Sequence, residues 1–367
     1  MPRAIGTALL LLVCAATSVR GDQESSALIA YHDKVDKSVE KGLEYLAKQQ
    51  VTPEKAKEMN KPYLVGSFAS HEQGNTGIAS LCVMAFLSKG YLPGSEPHGD
   101  LINAGIDYVL AQQHQNGLLV NRDNPGSQNG WMYSHSIATL MLAETSGMVD
   151  PVRQSKIDEV LPKAFALLLN AQQIKKDDRN AGGWRYTPDS RDSDLSLTGW
   201  AIMALRAGKL NGAFVPQENI DGAVRYILKC RMENNGGFGY QPGNGATVGL
   251  TGCALLCLTL CGEHKNPVVL PAGDYLLKNI PDRNDSQMKS YYAYYYCSQA
   301  AFQLGSRYWE TWAPKMYDLL IASQKENGSW EGNEIGPTYN TAMSVLAMTV
   351  AYRQLPIYQR DDSFEEE

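Results

Sequence analysis

Two kinds of apolar stretch alternate along this chain. In the first kind, apolar residues recur every three or four positions with charges between them. Val35 to Gln50, Leu101 to Gln113, Ile157 to Gln173, Ile220 to Arg231 and Pro314 to Gln324 all read this way. That spacing predicts helices with one wet face. In the second kind, small and large apolar residues run nearly unbroken. These are Gly77 to Phe86, Ile137 to Leu142, Leu195 to Leu205, Val248 to Leu258, a tyrosine-rich Lys289 to Phe302, and Thr341 to Met348. A helix that is apolar all round must be buried on every side. Gly-rich turns, often carrying an aromatic residue, introduce the buried stretches. They are Gly66-Ser67-Phe68, Asn129-Gly130-Trp131, Gly182-Gly183-Trp184, Gly236-Gly237-Phe238 and Asn327-Gly328-Ser329-Trp330. Trp131, Trp184 and Phe238 recur at nearly even spacing, which marks stacked supersecondary units.

The pattern therefore predicts an all-α protein, an (α/α)6 toroid of six outer helices around six buried inner ones. An open solenoid would need polar capping repeats, and neither end of the sequence reads as one. Although 367 residues would ordinarily suggest about two domains, residues 22–355 read as a single closed domain. The two ends differ in composition. Residues 1–21 read as a signal peptide, with Arg3 before an apolar run from Ala4 to Ala16 and a cleavage site at Val19-Arg20-Gly21. Cys14 would be a lipid anchor only if cleavage fell just before it, and Val13 is a poor residue there. Residues 356–367 read as an acidic tail carrying Asp361, Asp362, Glu365, Glu366 and Glu367. The expected location is therefore exported, periplasmic or extracellular. No later stretch is long enough to span a bilayer, so membrane contact would be peripheral.

A net charge of -6 argues against a nucleic-acid partner, since no basic surplus exists to neutralise phosphates. Beyond the signal region lie Cys82, Cys230, Cys253, Cys257, Cys261 and Cys297. Three of them, four residues apart on one helix face, are poorly placed for bridging and read as buried soft apolar residues.

Gln324-Lys-Glu-Asn-Gly328-Ser-Trp330 has the spacing Q-x-x-x-G-x-W and resembles the repeat signature of squalene and oxidosqualene cyclases. Gln113-His-Gln-Asn-Gly117, and Gln173 followed by Gly183-Trp184, are similar in a degenerate form. The Gly-Gly-Trp and Gly-Gly-Phe turns resemble those of protein prenyltransferase β subunits. The resemblance covers residues 35 to 352. It implies a toroid in which the Gln and Trp side chains tie the end of an outer helix to the next turn, and an isoprenoid or other hydrophobic ligand.

All inner helices of such a ring run the same way, so their N-termini gather at one mouth, with partial positive charge and free N–H groups. Asn75, Thr76, Tyr133, His135, Asp192, Asp194, Asn244, Thr247, Tyr292, Tyr339 and Asn340 fall near it. Asp192-Ser193-Asp194-Leu195 is similar to the D-x-D-D of the cyclases. The resemblance makes Asp194 the acid that protonates an alkene or epoxide and Asp192 its helper, although Leu195 replaces the last Asp. Two neighbouring carboxylates do not ionise together, so one keeps its proton. The plainer reading makes both residues caps of the third inner helix. His135 is a candidate base or hydrogen-bond partner of an acid. Tyr133, Tyr292, Tyr295, Tyr339 and Asn340 are candidate ligand contacts, with tyrosine π faces able to stabilise a cation.

No cofactor and no metal are implied. The prenyltransferase zinc set of Asp, Cys and His would place Cys253 correctly, but Gly249 and Thr251 stand where an Asp is needed. Cys261-Gly-Glu-His264 resembles the thioester segment of complement-like proteins, with His in place of the essential Gln. Three functions follow from the sequence: a terpenoid-cyclase-like enzyme, a non-catalytic exported binding or assembly module, and a polysaccharide hydrolase or lyase. The first needs an aromatic cavity with Asp194 at its edge. The second needs a shallow centre with capped carboxylates. The third needs two separated carboxylates in an open groove. The identity of any protein partner is left open by the sequence.

Overall fold

A computed structural model describes residues 26–68, 75–123, 127–281, 291–332 and 335–359. The signal segment with Cys14, and the acidic residues from Asp361 onward, lie outside the described residues. The helices are α1 (Ser26–Ile29), α2 (His32–Gln49), α3 (Pro53–Glu58), α4 (Thr76–Lys89), α5 (Gly99–Leu110), α6 (Trp131–Thr145) and α7 (Pro151–Gln173). They continue as α8 (Leu195–Leu210), α9 (Gln217–Lys229), α10 (Val248–Leu260), α11 (Val269–Lys278), α12 (Tyr291–Gln303), α13 (Ser306–Ser323) and α14 (Pro337–Met348). One short antiparallel ladder joins β1 (Phe238–Gly239) to β2 (Ala246–Thr247).

The even-numbered helices from α4 to α14 are the apolar ones, and they form an inner ring. Each packs on its predecessor and its successor, and α14 closes the ring on α4. The odd-numbered helices from α5 to α13, together with α2, lie outside. Pairing in space is offset from pairing in sequence. Each inner helix packs on the outer helix that follows it, so α14, the last, is completed by α2, the first. Burial is nearly complete on the inner helices: every residue of α10 from Val248 to Thr259 is buried. The toroid is thus one hydrophobic cluster shared by all six pairs.

The turns explain why the ring closes. At the seam, the Gln324 amide donates to the Gly328 carbonyl of its own turn and to the Ser38 carbonyl on α2, both at 2.9 Å. The Ser38 hydroxyl donates back to the Gln324 carbonyl oxygen at 2.8 Å. Gly328 holds φ at +91°, and an added Cβ would lie 2.1 Å from the Lys41 carbonyl, so only glycine lets the turn touch α2. The Trp330 indole N–H then donates to the Leu320 carbonyl at 2.8 Å, tying the turn to its own outer helix. Gln50, Gln113 and Gln172 repeat the pattern. Each donates to a turn carbonyl (Gly66, Gly117 and Gly182) and to a carbonyl of the next outer helix or its approach (Leu101, Val160 and Asn219).

Four readings of the sequence are corrected here. The glutamine of the third repeat is Gln172, since Gln173 points to solvent. The second turn is Gly117-Leu118-Leu119, and Trp131 instead opens helix α6, so its even spacing from Trp184 was fortuitous. Pro314 does not start an outer helix. It lies inside α13, whose buried Trp309 and Trp312 carry the helix through it. Residues 356–359 are not tail: Ile357 and Tyr358 are 2% and 1% exposed, packed beneath the ring. The six described cysteines are all free.

Candidate active site at the N-terminal mouth

Asp194 is the N-cap of α8. Its Oδ1 accepts the Leu197 N–H at 2.8 Å, as capping requires. Thr247 holds the same station on α10 and caps Leu250 with a hydroxyl, so a carboxylate is not needed for that task. The second oxygen is surplus. Asp194 Oδ2 is buried and accepts no hydrogen bond. The nearest cation is Arg185, whose Nη1 lies 3.5 Å away. Burial pushes the carboxyl up to about 6, against the Leu197 N–H, Arg185 and Tyr240, which pull it down.

Asp192 plays a smaller part than its place in the motif implies. Its side chain is half exposed, 3.5 Å from the Arg185 Nε, and it adds the least to the rise at Asp194. The proton on Asp194 is favoured by desolvation, with the neighbouring carboxylate secondary.

Around this carboxyl stands a group that sequence reasoning passed over. The Arg185 guanidinium lies over the Tyr186 ring, 4.2 Å from its centroid, and over Tyr240 at 5.4 Å. The Tyr186 and Tyr240 hydroxyls hydrogen-bond at 2.8 Å. Both tyrosines sit two residues past a turn aromatic, in Gly-Gly-Trp-Arg-Tyr and Gly-Gly-Phe-Gly-Tyr, and that repeated offset was the available signal. Their carbonyls seat the inner helices: Tyr186 accepts the Met132 N–H and Tyr240 the Leu195 N–H, at 3.0 and 2.9 Å.

Tyr133 joins the cluster, its ring 6.2 Å from that of Tyr186. Tyr133, Tyr292 and Tyr339 are deeply surrounded, which pushes their hydroxyls far up, yet each keeps accessible surface. Tyr292 offers a hydroxyl with no hydrogen-bond partner, and Asn340 a fully buried amide with neither atom paired. Asn75 caps α4 through the Ile78 N–H at 2.9 Å. Tyr295 is fully buried one level deeper. It stacks on Trp200 of α8 at 5.2 Å and senses Glu144 of α6, Tyr339 of α14 and Cys253 of α10, so it stands near the ring axis. Trp200, Tyr295 and Tyr296 make an aromatic floor below the mouth.

His135 is placed differently. Its Nδ1 accepts the Leu119 N–H at 3.1 Å, and its Nε2 lies 3.2 Å from the Ala164 carbonyl, which fixes the proton on Nε2. Thr198, Thr251 and Thr341 accept the N–H of Trp184, Phe238 and Trp330 in the same way. His135 therefore stands in for the threonine of the other repeats. Burial holds its ring down at about 4, neutral at physiological pH.

The family model of the prenyltransferase alpha-alpha toroid domain matches residues 98–283. The chain belongs to this toroid family. Among solved structures, the Candida albicans protein geranylgeranyltransferase-I complexed with GGPP aligns with a TM-score of 0.54 at 16% identity, over 79% of this chain and 91% of that one. A type II terpene cyclase from Scytonema, a variant bound to geranylgeranyl dihydroxybenzoate, aligns with a TM-score of 0.57 at 13% identity, over 89% and 100%. A second, ligand-free variant of that cyclase gives 0.58 at 13% identity. At these identities the likeness establishes the toroid fold. No curated protein sequence matches the chain.

Proposed function

We propose that this toroid protein, exported by its N-terminal segment, binds an isoprenoid between the mouth and the aromatic floor and protonates it from Asp194. The observation that carries the reading is the buried Oδ2 of Asp194, with no hydrogen bond and only Arg185 near it at 3.5 Å, on a carboxyl held up at about 6. An alkene is a weak base, so its protonation needs an acid kept dry and in place. Aromatic faces such as those of the stacked Trp200 and Tyr295 rings would stabilise a cation formed on the ligand. The reading is supported by the Scytonema terpene cyclase, which aligns over 100% of its length with this one ring.

The test is incubation of the mature protein with squalene, shorter polyprenes and geranylgeranyl-bearing compounds, followed by analysis for cyclised products. Asp194→Asn keeps the helix cap and removes the acid. It should lower turnover by roughly 10²- to 10⁴-fold without loss of folding. Wild-type turnover should rise as pH falls through about 6, where Asp194 gains its proton. Turnover retained in Asp194→Asn sinks the acid assignment. A second reading, a ring that holds its ligand without chemistry, is favoured by the cap that Asp194 already makes. It predicts saturable binding with no product. The same assay on soluble glycans separates the polysaccharide reading.

A further inference from the structure

The end of the ring opposite the mouth is closed by the chain's own last described residues. Glu144, in the final turn of α6, is 1% exposed. Its Oε2 accepts the Ile357 N–H at 3.0 Å, and its Oε1 is buried with no partner. Beside it the Tyr358 hydroxyl donates to the Leu346 carbonyl at 3.0 Å, and the Gln303 amide donates to the Gln359 carbonyl at 3.1 Å. Leu355, Ile357 and Tyr358 are buried, and the Tyr358 hydroxyl lies near the Tyr295 hydroxyl and the Glu144 carboxyl. We propose that residues 355–359 are a pH-gated strap over the far end of the toroid, with the Glu144 carboxyl as its catch, closed while that carboxyl is neutral and released when it ionises.

The charge balance at the catch supports this. A carboxylate there would lie at a helix C-terminus, where negative charge is disfavoured. Tyr295 from α12 and Tyr358 from the strap are the titratable groups that face it, and burial keeps both neutral. Among the described residues no cation contributes to its balance, and burial outweighs the Ile357 N–H to hold Glu144 up at about 8. An open strap would return the group toward its ordinary value of 4.5. The closed state therefore binds more protons than the open one between those values. Closure should weaken about tenfold per pH unit from about 5 to about 8, and no further above.

Hydrogen exchange on the full mature chain tests the strap, with rates corrected for the intrinsic pH dependence of amide exchange. The Ile357 and Tyr358 amides should exchange through an opening that leaves the α6 amides protected, and their protection should fall about tenfold per unit over that range. Glu144→Gln keeps an acceptor for the Ile357 N–H and should flatten the slope. Tyr358→Phe removes the Leu346 bond and should lower protection equally at every pH while keeping the slope. Parallel slopes in wild type and Glu144→Gln overturn the proposal. So does strap exchange that occurs only together with α6. The readout requires no isoprenoid chemistry, so it stands or falls separately from the Asp194 reading.

Discussion

At the scale of single residues, position decides chemistry more than type does. Asp194 and Thr247 make the same cap, but only Asp194 brings a second oxygen into a dry site. His135 and Thr198 take the same turn N–H, and the histidine's special chemistry is suppressed by burial. That suppression has a measurable cost in acid. The folded ring titrates at about 4 against an ordinary 6.5, so the unfolded chain binds the extra proton first. The contribution to stability is complete above about 6.5 and is lost as pH falls toward 4, up to on the order of 3 kcal/mol. Urea unfolding between those pH values should show this decline in the wild type and a flatter profile in His135→Gln. Equal profiles would mean that the acid limb belongs to other groups. The sequence shows Tyr186 and Tyr240 at the same offset from a turn aromatic, but nothing local signals that these two turns meet around Arg185.

At the scale of elements, the outer helices α2, α5, α7 and α13 each end at or near a glutamine that faces two ways, toward its own turn and toward the next outer helix. The third repeat offers an internal comparison, since Gln172 and Gln173 are adjacent. Gln172 is buried and makes both bonds, and the Asn219 side-chain amide donates to its carbonyl oxygen. Gln173 is exposed. Gln172→Ala leaves buried carbonyls unpaired and should cost about 1–3 kcal/mol, while Gln173→Ala should stay within about 0.5 kcal/mol. Chemical denaturation of the two variants decides it, and the reverse order would reject the assignment of Gln172. The sequence pattern found the repeat but misplaced it by one residue here, and misplaced the second turn. Periodicity reports which face is apolar, whereas a helix-end amide must be read from what lies beyond the helix.

At the scale of the whole molecule, the ring depends on a seam between its two ends, where α2 completes α14. Gly328 and Gln324 hold that seam against Lys41 and Ser38. Gly328→Ala forces a Cβ into a backbone carbonyl at a positive φ, so it should destabilise the whole toroid by more than about 2 kcal/mol. The thermal midpoint would report this, and an unchanged midpoint would show that closure does not rest on the turn. The sequence by itself determined the helical class, the alternation of wet and buried helices and the shared direction of the inner ones. These follow from apolar spacing, which is a local property. Only the tertiary structure decided the offset pairing that closes the ring, the burial of Asp194 beside an arginine stacked on two tyrosines, and the fold-back of residues 356–359 under Glu144. Each of these depends on groups far apart in the chain sharing one dry space, and desolvation by distant neighbours leaves no trace in local sequence.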